Sequence, residues 1–138
     1  MVVFVVLVAS DAIGSIFMVD VHCHLNFHAF EKDYKEVIKR AFEAGVTKII
    51  NVGTKIDSSE KAVRLAKERE NLFAIVGIHP HHADKVEKGW EEQIEKLAKN
   101  ARVVGIGECG MDYFSYKSNA IVDPKIQKEV FIRQIELA

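Results

Sequence analysis

His22 and His24 stand two residues apart in the run VDVHCHL. On an extended strand, residues i and i+2 leave the same face, so the two imidazoles project side by side. Neutral imidazole nitrogens held that way suit a divalent transition metal, although a pair of histidines can also pack or hydrogen-bond in a polar loop. Glu108 closes the run VVGIG, and His79 closes VGI. A carboxylate at such a strand end could bind one cation or bridge two; taken alone, a glutamate there is more often a cap or a surface charge. His79 could hold an anionic group such as phosphate or polarise a leaving group, and Pro80 restricts the backbone beside it. His81 and His82 read as exposed neighbours. Asp112 either orients a neighbour through hydrogen bonds or forms an Asx turn. Cys23 alternates with the histidines, as Cys109 does with Glu108, so both thiols are expected to face away into packing. The sequence contains no Walker loop and no nucleophile elbow. Three separate apolar runs end in groups able to bind a metal or an anion, a coincidence that unconnected packing roles do not explain.

The elements that must position these residues alternate along the chain. Val19–His24 reads as a first strand. The stretch after it places Phe30, Tyr34, Val37, Ile38, Ala41 and Phe42 at spacings of three and four, one apolar helix face, with Gly45 set to end the helix. Val46–Val52 is a second strand, and Asp57 with Glu60 suggests a capping-box start to the helix SSEKAVRLAKERE. Leu72–Ile78 is a third strand, followed by a helix with Trp90, Ile94, Leu97 and Ala98 on one face. Val103–Gly107 is a fourth. Asp123 and Pro124 suit the N-cap and first position of a last helix, whose expected face is Ile126, Val130, Phe131, Gln134 and Ile135. Four strand–helix units at about 30 residues each match the spacing of a (β/α)₈ barrel, which needs about 250 residues for all eight. The strands are almost continuously apolar, as parallel strands covered on both faces must be. A flavodoxin-like open sheet also accommodates four units, and periodicity alone does not separate the two.

Composition sets outer bounds. The 138 residues are 49% hydrophobic and 28% charged, with a formal net charge of −1. This is an ordinary globular composition, and it argues against a protein that coats long nucleic acid, which requires a basic stripe. A few nucleotides could still enter a metal site. Two cysteines do not make a disulfide framework in a chain of this size, so a reducing, cytoplasmic setting is expected. The first 17 residues hold an apolar run, Val2–Ala9, too short to span a bilayer and without the leading basic residue of a secretory signal. They read as a non-domain extension ahead of a domain over 18–138; a peripheral membrane segment or an extra strand are the alternatives.

In order and spacing, VDVHCHLNF, NVGT, VGIHPHHA, VGIGECGMDYF and QKEVFIRQIELA resemble the TatD family of metal-dependent deoxyribonucleases. The resemblance runs from Met18 to Ala138. It implies an α/β fold, a TIM-type barrel of the metal-dependent hydrolase superfamily, of which this chain carries the first four strand–helix units. It further implies one or two divalent metal ions (Mg, Mn or Zn), hydrolysis of phosphodiester bonds, and DNA or short nucleic-acid ends as substrate, with no membrane involved. Within it, His22 and His24 bind one metal, Glu108 bridges to a second, and His79 lies in the substrate pocket. Asn26 stands where the family usually has Asp. The family's remaining ligands, two histidines and an aspartate that also serves as catalytic base, come from later strands and are expected beyond residue 138. The last helix is still running at Ala138, which predicts a longer gene product. It also predicts weak metal binding and little or no activity for the 138-residue chain, and a half barrel that self-associates or pairs with the remaining half. Two other functions compete with the nuclease. One is a hydrolase of the same superfamily acting on a C–N or ester bond, which shares the HxH start. The other is a non-catalytic barrel fragment acting through assembly. The GIHPH and GE-G-DY motifs favour the nuclease.

Overall fold

The computed structural model describes residues 4–10, 16–115 and 120–138. Five strands form one sheet in chain order: β1 (Phe4–Ser10), β2 (Ile16–Cys23), β3 (Val46–Val52), β4 (Leu72–Val76) and β5 (Val103–Ile106). Strands β2 to β5 run parallel. Helices α1 (Tyr34–Glu43), α2 (Ile56–Ala66) and α3 (Trp90–Ala98) connect them, and α4 (Pro124–Leu137) follows β5. Strictly sequential parallel strands are the order of a (β/α) barrel; a doubly wound sheet would reverse its order at a switch point. In a flat sheet β2 and β5 would lie about 14 Å apart, three strand spacings. Side chains at their C-terminal ends nevertheless meet, with His22 Nε2 3.6 Å from Glu108 Oε2. The sheet curls toward these residues as an arc of a barrel does.

The extension expected over residues 1–17 is not bare: β1 lies within it and runs antiparallel along β2, and β2 itself begins at Ile16 rather than Val19.

Between sheet and helices the core is continuous. Leu72, Ala74 and Val76 of β4 are buried with Ile49 of β3, Ala62, Leu65 and Ala66 of α2, and Trp90 and Ile94 of α3. The expected α1 face packs there: Ile38 is buried, and Phe30, Tyr34, Val37, Ala41 and Phe42 lie against it. The helix starts at Tyr34, after a separate 3₁₀ turn over His28–Phe30, and Gly45 ends it at φ +96°. Helix α2 departs from its expected cap. Ser58 Oγ accepts from the backbone N–H groups of Thr54 (2.8 Å) and Lys55 (3.0 Å), while the exposed Asp57 pairs with Lys55. A serine hydroxyl folds back onto its own helix start at little entropic cost, so the helix begins at Ile56 and Glu60 takes no part.

Helix α4 presents part of the expected face, Val130 and Gln134, but turned away from Ile126 and Ile135. Gln127, Val130 and Gln134 are buried, whereas Ile126 and Ile135 are exposed. The stripe is rotated because two glutamines satisfy backbone groups that no apolar side chain could. Gln134 Oε1 accepts the Ile78 N–H at 2.7 Å, and its Nε2 donates to the Ile78 carbonyl at 3.0 Å. Gln134→Leu leaves both groups buried without a partner, at about 1–3 kcal/mol each. Urea denaturation should therefore show a loss of about 3 kcal/mol, against a change within about 0.5 kcal/mol for Ile135→Ser on the exposed side. Equal stabilities for the two variants would refute the rotated face.

Candidate metal centre

The candidate centre assembles where β2 and β5 converge. His22 Nε2 and His24 Nε2 lie 3.3 Å apart, with their rings nearly perpendicular at 81°. Glu108 Oε2 lies 3.6 Å from the first and 3.7 Å from the second. One donor atom from each of the three residues falls within 4.8 Å of the others, and all three side chains are half-buried. Glu108 is brought there by backbone contacts: its N–H donates to the Gly53 carbonyl (3.1 Å), and Gly107 N–H donates to Val76 (2.9 Å). These approaches require glycine. A Cβ at Gly53 would lie 2.2 Å from Ser59 Oγ, and one at Gly77 would lie 2.5 Å from the Gly107 carbonyl oxygen.

Backbone partners determine what each imidazole offers. His24 Nδ1 lies 2.9 Å from the Val52 carbonyl oxygen, which can only accept. Nδ1 therefore carries the proton, and the Nε2 lone pair is left pointing at His22 and Glu108, the form a metal requires. His79 is set the other way. The backbone N–H of His81 donates to His79 Nδ1 (3.1 Å), so the neutral ring keeps its proton on Nε2, 3.9 Å from Glu108 Oε1. Burial holds the His79 pKa below the ordinary histidine range, with the Glu108 charge only partly opposing it. In this form His79 presents an N–H, suited to an anionic oxygen and not to a cation.

A second layer holds His79 in place. His81 was expected at the surface but is buried, stacked on His79 at 5.5 Å and 24°, with its Nε2 3.0 Å from Asp112 Oδ2. His82 is half-buried beside His79 rather than exposed. Asp112 Oδ1 accepts from Phe114 N–H (2.8 Å) in an Asx turn, while Oδ2 faces His81. That backbone hydrogen bond, followed by the neighbouring histidines, lowers the Asp112 pKa. Gln127 grips the same loop, accepting from Asp112 N–H (2.7 Å) and donating to the Asp112 carbonyl (2.9 Å).

Three contributors escaped the sequence reading. Gln127 was passed over, although its spacing of seven from Gln134 puts both on one helix face. Asp20 is buried on β2 two residues before His22, and its Oδ1 accepts the His22 N–H at 3.1 Å; burial raises its pKa. Phe27 lies parallel to His24 at 4.3 Å. Asn26, the departure from the family's Asp, has a defined job: its Nδ2 donates to the carbonyls of Val52 (3.0 Å) and Ser58 (2.9 Å). A carboxylate could donate to neither. Cys23 and Cys109 are half-buried and stand outside the donor group, and burial pushes the Cys23 thiol up to about 12.

Two predictions follow from these partners. In Co²⁺ titrations followed by absorbance, His24→Ala and Glu108→Gln should each weaken binding by more than about tenfold, while His79→Ala leaves it within about twofold. A comparable loss in His79→Ala would contradict the tautomer assigned to that ring. Asn26→Asp should lower stability in urea by about 1–3 kcal/mol, because two buried carbonyls lose their donor.

Known proteins are similar to this chain in sequence and in fold. The family described as TatD related DNase matches residues 19–138. The 3'-5' ssDNA/RNA exonuclease TatD of Shigella flexneri is 34% identical over 121 residues, covering 88% of this chain and 45% of that protein. Its counterpart in Yersinia pseudotuberculosis is 39% identical over 122 residues, with the same coverage of 88% and 45%. The chain thus spans a little under half the length of these curated relatives. Among solved structures, the TatD homologue YJJV of Escherichia coli superposes with a TM-score of 0.74 at 32% identity, over 87% of this chain and 46% of that one. A TatD family hydrolase of Entamoeba histolytica, at 22% identity and a TM-score of 0.75 over 86% of this chain and 44% of that one, shares the fold. With its parallel strands in barrel order and a family match over nearly all of its length, the chain belongs to the TatD related DNase family.

Proposed function

We propose that this chain is part of a metal-dependent nuclease that hydrolyses phosphodiester bonds in DNA or short nucleic-acid ends. One observation carries the reading: two imidazole nitrogens and a carboxylate converge beside a third imidazole that presents an N–H. In this proposal His22, His24 and Glu108 hold one or two divalent cations, and His79 is the substrate-binding group. A divalent ion there supplies Lewis acidity at a phosphate oxygen and lowers the pKa of water. His79 Nε2–H donates to a non-bridging phosphate oxygen. Asp112 acts through His81, whose stacking and backbone N–H keep the His79 ring in the donating form. The general base comes from residues beyond 138, and the working domain comprises 18–138 together with that remaining portion. Among the described residues no helix is long and apolar enough to cross a membrane.

The test is incubation of the 138-residue chain with a labelled single-stranded oligonucleotide and Mg²⁺ or Mn²⁺. Metal-dependent binding with little or no cleavage is expected, and His22→Ala with His24→Ala should abolish the metal dependence. A chain extended by the downstream gene sequence should cleave the oligonucleotide. Turnover of an N-acyl or ester substrate with the oligonucleotide left intact would replace the nuclease by the related C–N or ester hydrolase. A stable oligomer that takes up no metal would replace it by an assembly role.

A further inference from the structure

The loops that leave β2 and β5 flank the candidate centre, and both carry exposed aromatic rings: Phe27 at 39%, Tyr113 at 62% and Phe114 at 64% exposure. Phe27 is the best placed. Its ring lies on His24, with centroids 4.3 Å apart and planes within 13°. A turn holds it there, in which its N–H donates to the His24 carbonyl (3.0 Å). Anchoring of this loop does not require Phe27, because Leu25 two residues earlier is buried in the core. A large ring fixed against one of the converging histidines and still open to solvent is a surface awaiting a flat partner.

We propose that Phe27 is the stacking platform for a nucleobase at the end of a single-stranded nucleic acid, and that this stack sets the adjoining phosphodiester over His22, His24 and Glu108. The inference rests on the phosphodiesterase reading above. Stacking on Phe27 extends a pile that already contains His24, so the base is carried to within one ring of the candidate ligands. Because its partner ring is held in advance, little motional freedom is lost when the base arrives. Every base has a π face, so the contact tolerates any sequence. A base inside a duplex keeps both faces for its neighbours, so the platform favours bases that have left the stack. Tyr113 and Phe114, placed by the Asp112 turn on the β5 side, extend the apolar surface for the next nucleotide.

The probe is a short oligothymidylate ending in 2-aminopurine, whose fluorescence is quenched on stacking, titrated in Mg²⁺ with the wild-type chain, Phe27→Tyr and Phe27→Leu. Wild type and Phe27→Tyr are expected to bind alike and quench the terminal base. Phe27→Leu should bind on the order of tenfold more weakly and leave that base bright. Its thermal unfolding should match wild type, which excludes a folding defect. Quenching by Phe27→Leu equal to wild type overturns the platform. So does tight wild-type binding without quenching, which leaves the phosphodiesterase reading standing. Absence of metal-dependent binding by the wild-type chain overturns both.

Discussion

The carbonyl oxygen of Val52, at the end of β3, accepts hydrogen bonds from His24 Nδ1 and from Asn26 Nδ2. A carbonyl has no proton to give, so His24 meets it with Nδ1–H, and in the neutral ring the lone pair is then on Nε2, turned toward the centre. Val52 is almost fully buried, and its strand pairs with β4 from Ile49 to Val52. The chemical form of the histidine is thus set by the sheet. The same device with opposite sign acts at His79, where a backbone N–H occupies Nδ1 and leaves a donor at Nε2. Two imidazoles in one mouth receive different roles because one meets a backbone acceptor and the other a backbone donor. No charged side chain is needed to tell them apart.

Helix α4 supplies the remaining rigidity, and it does so with amides. Gln127 and Gln134 lie two turns apart on the buried stripe, and each forms hydrogen bonds to both the N–H and the carbonyl of one residue in a strand-end segment. One grip falls on Ile78, which precedes His79, and the other on Asp112, which faces His81. A helix packed by methyl groups alone could slide by a fraction of an ångström at small cost. An amide engaged on both its atoms cannot, because any shift strips a buried donor and a buried acceptor together. The helical layer and the candidate centre are therefore mechanically one object, although no α4 side chain belongs to the donor group.

Much of this was legible in the residues. Strand–helix alternation and three polar strand ends were enough to place His22, His24, His79 and Glu108 at one end of one sheet, because strand period and barrel direction act on local sequence. The α1 face was legible for the same reason, being a simple apolar stripe. The α4 face was legible only in part, at Val130 and Gln134. Hydrophobic periodicity ranks isoleucine above glutamine, and it is blind to the Ile78 and Asp112 backbone groups that turn Gln134 and Gln127 inward. His81 was read as exposed because its partner Asp112 lies far along the chain, on another loop. The protonated nitrogen of each imidazole was equally out of reach, since it depends on backbone groups brought near only by the folded sheet. Asn26 looked like a loss relative to Asp until its two carbonyl partners were in view.

The edge of β2 has a consequence of its own. A strand has two hydrogen-bonding edges, and β2 gives one to β3 and the other to β1. In a closed ring of parallel strands the first strand must offer that second edge to the last, since closure abolishes edges. Here the position is taken by an antiparallel neighbour from the chain's own beginning. An edge holds one strand at a time, so ring closure and the β1–β2 hairpin are mutually exclusive states. Phe4–Ser10 thus occupies the edge that a closed ring would use, and while it lies along β2 the arc is shielded on that side.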